Sequence, residues 1–193
     1  MSPLAPRRLA LDFLLLHGAD RVPHLQGTLL EHLLATESIL ATWGCPEGLR
    51  RAGLCHAAYG TDGFAPCLVP WSDRAVVAAA VGPAVEQTVY LYAACDRAVV
   101  YPQLAGGAVR FDEGADVELD VDDDPGRPAR ERTVRFRDRF LGCDTELSAT
   151  DVCLRTFVDL TLANEMEIAV GADGARPAPL WARWLVAQMA RYA

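Results

Sequence analysis

HLQGTLLEHLLATESILATWGCPEGLRRAGLCHAAYGTDGF, residues 24–64, is the stretch on which the reading of the whole chain turns. Gly27 and Thr28 open a helix in which Leu29, Leu33, Ile39, Leu40 and Trp43 recur at helical spacing. Gly44 stops it, and Pro46 suits the first turn of a second helix expected over residues 47–59, closed by Gly60. His32 shares a stripe with Thr28, Ala35 and Ile39, and His56 shares one with Leu49, Ala52 and Gly53. An antiparallel pair of such helices turns both imidazoles inward, and the small residues let the backbones approach. Imidazoles buried in this way need a hydrogen-bond partner or a bound group.

Outward from this pair, the composition narrows the class. A chain of 193 residues, 51% hydrophobic and 23% charged, has enough apolar material for one soluble domain with a real core. A net charge of −8 argues against nucleic-acid or anionic-membrane surfaces, which require clustered cations. All 18 basic residues are arginine, so Schiff-base chemistry, a lysine base and a phosphate-binding P-loop are excluded together. The N-terminal run Leu9-Ala10-Leu11-Asp12-Phe13-Leu14-Leu15-Leu16 is interrupted by Asp12 and reads as an amphipathic helix rather than a signal peptide. No segment suits a bilayer span. The six cysteines contain no CxxC pair; Cys55, Cys95 and Cys153 read as buried thiols, in keeping with a cytoplasmic protein.

Downstream, Ser72 is placed to cap a helix over residues 73–81, and Gly82-Pro83 breaks it and starts another over residues 84–97. At Val99 the pattern changes. Alternation at Val117, Leu119 and Val121, an acidic turn at 122–126, and alternation at Val134 and Phe136 predict a β-hairpin of 117–121 with 133–137. Glu118 and Asp120 would face Arg135 and Arg137 across it. Helix resumes at Ser148, whose spacing to Asp151 resembles a capping box, and runs towards Ile168. A final helix is expected over residues 179–192, with Trp181, Trp184 and Leu185 available for packing. The expected architecture is a single mainly α-helical domain over residues 1–193, with residues 99–147 inserted as a hairpin excursion that could be removed without unfolding the rest.

His24, His32 and His56 are the leading functional candidates, since imidazole binds zinc, iron and manganese and two packed helices make a rigid frame. Two histidines bind a metal weakly, so further ligands must come from elsewhere. Asn164 and Glu165 lie among Phe157, Leu160, Leu162 and Ile168 and are the nearest suppliers; Asp96 is a reserve. Asn164 joins the histidines as a candidate ligand for a divalent Fe, Mn or Zn ion, and Glu165 and Tyr59 are the candidate catalytic groups. Residues 59–63 could form a pocket rim that binds an anion through backbone amides, although a helix stop followed by a turn explains them better. Cys67 reads as an ordinary loop cysteine, and Asp122 to Asp124 lack the spacing of a calcium loop.

The helix pair resembles the HD-domain superfamily, and within it the guanosine-tetraphosphate hydrolase branch. That branch carries a histidine shortly before Ile-Leu, a helix ending in His-Asp, and a later Leu-Ala-Asp. Here His32 precedes Ile39-Leu40, His56 ends Ala52-Gly53-Leu54-Cys55-His56, and Leu162-Ala163-Asn164 stands where Leu-Ala-Asp would be. The block from His24 to Thr61 looks like that of an uncharacterised bacterial family of HD relatives. The resemblance implies an HD-like helical bundle and a metal site. The His-Asp pair is His56-Ala57 here, Tyr59-Gly60 replaces the following acids, and Asn164 replaces the last metal-binding Asp. Two-metal hydrolysis of guanosine tetraphosphate is therefore not expected. Two function classes remain: a single-metal enzyme acting on a small metabolite, or a catalytically inactive HD-type fold that binds a ligand or a protein. The expected partner is a small molecule, with a homodimer the one assembly considered.

Overall fold

The computed structural model of the chain describes residues 5–25, 27–104, 133–148 and 152–171. Among these it is mainly α-helical, with seven α-helices and two small antiparallel strand pairs. Helix α1 (Ala5–Leu16) buries Ala10, Phe13 and Leu14. It is tied to the next helix by a bidentate ion pair from Arg7 Nε and Nη2 to Glu37 Oε1 and Oε2, at 2.6 and 2.7 Å. Strands β1 (Pro23–His24) and β2 (Gly27–Thr28) form a tight turn, with Leu25 held at φ +43°. This turn folds His24 back over the start of α2 (Leu29–Thr42).

The opening of α2 follows the sequence closely. Thr28 accepts from the amide of Glu31 while the Glu31 carboxylate accepts from the amide of Thr28, a reciprocal capping box. Gly44, at φ +70°, ends the helix, and Pro46 precedes the first turn of α3 (Glu47–Cys55). Helix α3 stops four residues before Tyr59, with His56 as its C-terminal cap and residues 56–59 in turns. Gly60 follows at φ +71°, packed so closely that a Cβ there would come within 3.0–3.2 Å of the carbonyl oxygens of Phe64, Ala65 and Pro66. Thr61 and Phe64 exchange backbone hydrogen bonds of 2.7 and 3.1 Å, so this stretch is a helix stop and a turn.

Helices α4 (Arg74–Val81) and α5 (Pro83–Ala94) meet at Gly82 and Pro83, as the sequence indicates. Ser72 does not cap α4. It lies in a 3₁₀ turn, Trp71–Asp73, with its hydroxyl 3.4 Å from Asp73 Oδ1. The chain does not leave the helical body at Val99 either. A break at Cys95 and Asp96 ends α5, and Asp96 then caps α6 (Arg97–Gln103) by accepting from the amide of Val99.

A hairpin is present among the described residues, formed with a strand that the sequence does not announce. Strand β3 (Thr133–Asp138) pairs with β4 (Cys143–Ser148), in register Thr133 to Ser148. The expected strand 117–121 lies outside the described residues, as do the acidic turn and the helix at 179–192. Ser148 therefore ends a strand, and residues 149–151 of its supposed cap are outside the described residues. Nor is the hairpin an excursion. Val134 and Phe136 are buried, Phe136 packs edge-on against Phe157, and β3 pairs through Asp138 with Cys95 at the break between α5 and α6. Gln103 completes the docking by presenting its amide as a substitute strand: Nε2 donates to Arg135 O and Oε1 accepts from Arg135 N, both at 2.9 Å. Helix α7 (Val152–Gly171) runs through the centre, packed on α2, α3 and α5.

Candidate functional site

Helices α2, α3 and α7 bring three side chains to one point. His32 Nε2 lies 3.2 Å from His56 Nε2 and 3.2 Å from Asn164 Oδ1, and all three residues are buried. The close approach of α2 and α3 rests on Gly53, where a Cβ would stand 2.5 Å from Leu40 Cδ1.

The outer atoms of these groups fix the protons. His56 Nδ1 is 2.7 Å from the carbonyl of Gly53, which can only accept, so Nδ1 carries hydrogen. Burial above all, then the neighbouring His32, hold the His56 pKa down to about 3, so the ring is neutral and Nε2 presents a lone pair. His32 Nδ1 donates to Glu167 Oε2 at 2.5 Å, directing its own Nε2 at the same point. Asn164 Nδ2 donates to Glu165 Oε1 at 3.3 Å, which turns Oδ1 towards His32. Two imidazole nitrogens and an amide oxygen thus converge, and neutral rings would leave three acceptors facing one another. A hydrogen-bond donor or a cation at its centre would satisfy all three. Two nitrogens on a tetrahedral ion at their usual bond lengths would be roughly 3.3 Å apart, close to the separation found here.

His24 joins the cluster through ring contacts, tilted against His32 and edge-on to Phe64. Its ring centroid is 4.3 Å from that of His32 and 4.5 Å from Phe64, and its buried Nε2 has no hydrogen-bond partner among the described residues. Burial lowers its pKa, with a further contribution from His32, so the ring is held neutral. Among the described residues no three His, Cys, Asp or Glu side chains are placed to share a metal ion. A metal would therefore draw on His32, His56 and the amide oxygen of Asn164, with its remaining positions open.

Glu165 is buried beside the cluster, and burial raises its pKa against the opposing influence of Arg97 and its hydrogen bonds. Arg97 Nη1 reaches its Oε1 at 3.3 Å, and Arg97 Nη2 donates to Tyr92 OH at 3.2 Å. His24, His32, His56, Arg97, Asn164 and Glu165 line one cavity of about 950 Å³, whose other walls include Leu25, Phe64, Tyr101, Pro102 and Ile168. The volume suits a small metabolite.

Tyr59 takes no part. Its hydroxyl donates to Glu86 Oε1 at 2.8 Å, and Glu86 is also gripped by Arg74 through two 2.7 Å bonds, outside the cavity. The shortened α3 is the cause, because residues 56–59 leave helical register and carry the tyrosine towards α5. Two site residues escape the sequence reading. Glu167 lies one helical turn beyond Asn164, so helical spacing could have found it. Arg97 was read as the end of a helix, whereas it begins α6 and points into the cavity wall.

None of the described helices is long and apolar enough to cross a membrane. No curated protein and no solved structure matches the chain. Residues 13–97 match a family described as a domain of unknown function (DUF6817), a span that holds His24, His32, His56 and Arg97 but stops short of Asn164, Glu165 and Glu167.

Proposed function

We propose that the protein is an HD-type, single-metal enzyme acting on a small metabolite in the cavity beside His32 and His56. The observation that carries this reading is the convergence of His32 Nε2 on His56 Nε2 and Asn164 Oδ1, each at 3.2 Å, three acceptors when both rings carry their hydrogen on Nδ1. Their order along the chain, with histidines on two successive helices and an amide from a distant one, supports the HD-type assignment. Bound there, a divalent Fe, Mn or Zn ion would act as a Lewis acid. Glu167 would orient His32, Gly53 would orient His56, and Glu165, with its raised pKa, would hold or deliver a proton beside the ligand. Ala57 fills the place of a second carboxylate, so hydrolysis of guanosine tetraphosphate is expected to be absent. The buried thiols of Cys55 and Cys95 accord with a reducing, cytoplasmic setting.

The test is equilibrium dialysis of untagged protein against Zn, Mn and Fe(II). One ion per chain should bind, and His32→Ala and His56→Ala should each abolish binding while the helical circular dichroism is kept. Failure of the wild-type protein to bind any of the three would refute the proposal. The second reading, an inactive ligand-binding module, is favoured by Ala57, which is buried where a catalytic carboxylate would stand. It predicts ligand binding by a protein that takes up no metal.

A further inference from the structure

Three of the arginine–glutamate pairs among the described residues bear comparison. Arg7 holds Glu37, and Arg74 holds Glu86, each through two hydrogen bonds of 2.6–2.7 Å. These are the short, bidentate geometry that the guanidinium fork favours. Arg97 and Glu165 meet through one contact of 3.3 Å, although both are more secluded than an ordinary surface pair, at 20% and 5% side-chain exposure. Arg97 also donates once to Tyr92 OH and stands over the Tyr92 and Tyr101 rings, but no partner takes its fork in bidentate fashion, so this partly buried guanidinium retains donors that a planar anion could take. It is also the only arginine on the cavity wall among the described residues. A second observation on the same wall is His24, whose Nε2 has no hydrogen-bond partner among the described residues.

We propose that the cavity binds a small monocarboxylic acid with an apolar body, its carboxylate seated on the Arg97 fork. The proposal rests on the cavity being the ligand site, as argued above, and names the class of ligand. Leu25, Phe64, Pro102 and Ile168 supply the apolar wall that such a body needs. Charge selects against richer anions. One arginine facing Glu165, with Glu167 behind His32 and no lysine anywhere in the chain, cannot balance a polyphosphate.

The test is a titration of the full chain, followed by amide chemical shifts. The probes are benzoate, phenylacetate and hexanoate, their primary amides, phenyl phosphate and ATP, each with added zinc and again in chelator. The acids should bind saturably and about tenfold or more tighter than their amides, in chelator as well as in zinc. Arg97→Gln should erase the preference. Glu165→Gln, which removes the competing carboxylate, should raise affinity for the acids several-fold and leave the amides unchanged; it serves if Arg97→Gln does not fold. Equal binding of acids and amides, tighter binding of phenyl phosphate or ATP, or unchanged acid binding in Arg97→Gln would overturn the proposal. Acid binding that vanishes in chelator yet survives Arg97→Gln would place the carboxylate on the metal, leaving the metal site standing and this inference refuted. Acid binding on Arg97 without any zinc uptake would have the opposite meaning.

Discussion

Gly53→Ala tests the geometry that brings the two histidines together. Gly53 lies inside α3, where alanine is favoured over glycine by about 1 kcal/mol on helix propensity alone. The new methyl would, however, stand 2.5 Å from Leu40 Cδ1 and 3.7 Å from Leu160 Cδ1 and Thr36 Cγ2, and Leu40, Leu160 and Thr36 are all fully buried. Leu40 is fully buried, so its Cδ1 can give way only by repacking the core around it, at a cost of roughly 1–3 kcal/mol. The net expectation is destabilisation by about 1 kcal/mol, which lowers the melting temperature by about 2–4 °C in a chain of this length. Gly48→Ala, in the same helix, is the control. Its methyl meets Val85 Cγ2 at an ordinary 3.7 Å, so that variant should be neutral or slightly stabilised. Urea denaturation of both variants gives the comparison. Because contact between α2 and α3 at Gly53 sets how His32 meets His56, Gly53→Ala should also weaken metal binding, which Gly48→Ala should not. A Gly53→Ala protein more stable than wild type would refute the close-packing argument.

Other outcomes follow from neighbouring features. Tyr59→Phe should lose about 1.5–3 kcal/mol of stability, the usual worth of a hydrogen bond to a charged group, with metal and ligand binding unchanged; altered ligand affinity would return Tyr59 to the site. Phe136→Ala should cost about 3–5 kcal/mol, read by chemical denaturation, because the ring is buried against Phe157 as part of the core. A loss under 1 kcal/mol would restore the view of the hairpin as a removable excursion. Exposed Cys67 and Cys143 should react with a thiol reagent in the native state, whereas Cys55, its pKa pushed up to about 12 chiefly by burial, should react only on unfolding. The same shift fixes a sign. Between pH 9 and 12 the folded thiol keeps a proton that the unfolded one loses, so Cys55 makes stability fall as pH rises through that window; Cys55→Ala should flatten the decline, judged by the slope of stability against pH.

Local signals carried much of this structure into the sequence. Thr28 and Glu31 mark the start of α2 because a capping box satisfies two amides at once, and Gly82-Pro83 marks a junction because each residue is limited to one role. The facing of His32 and His56 was legible from helical spacing, and the place of Asn164 and Glu165 from their apolar neighbours. Non-local pairing was not legible. The six residues Cys143-Asp-Thr-Glu-Leu-Ser are mostly exposed and show no alternation, so nothing in them announces a strand until β3 is there to bind it. The start of α6 was hidden because Pro102, near its end, argues against a helix from sequence alone. Tyr59 was misplaced because α3 ends at His56, whose ring bonds back to the Gly53 carbonyl.

X-ray absorption at the metal edge, on protein loaded with one equivalent of zinc, bears most directly on the central claim. The account predicts two histidine nitrogens at about 2.0–2.1 Å with oxygen filling the remaining positions, and the loss of one nitrogen in His56→Ala. Zinc with fewer than two histidine ligands in the wild-type protein, or an unchanged spectrum in His56→Ala, would contradict it.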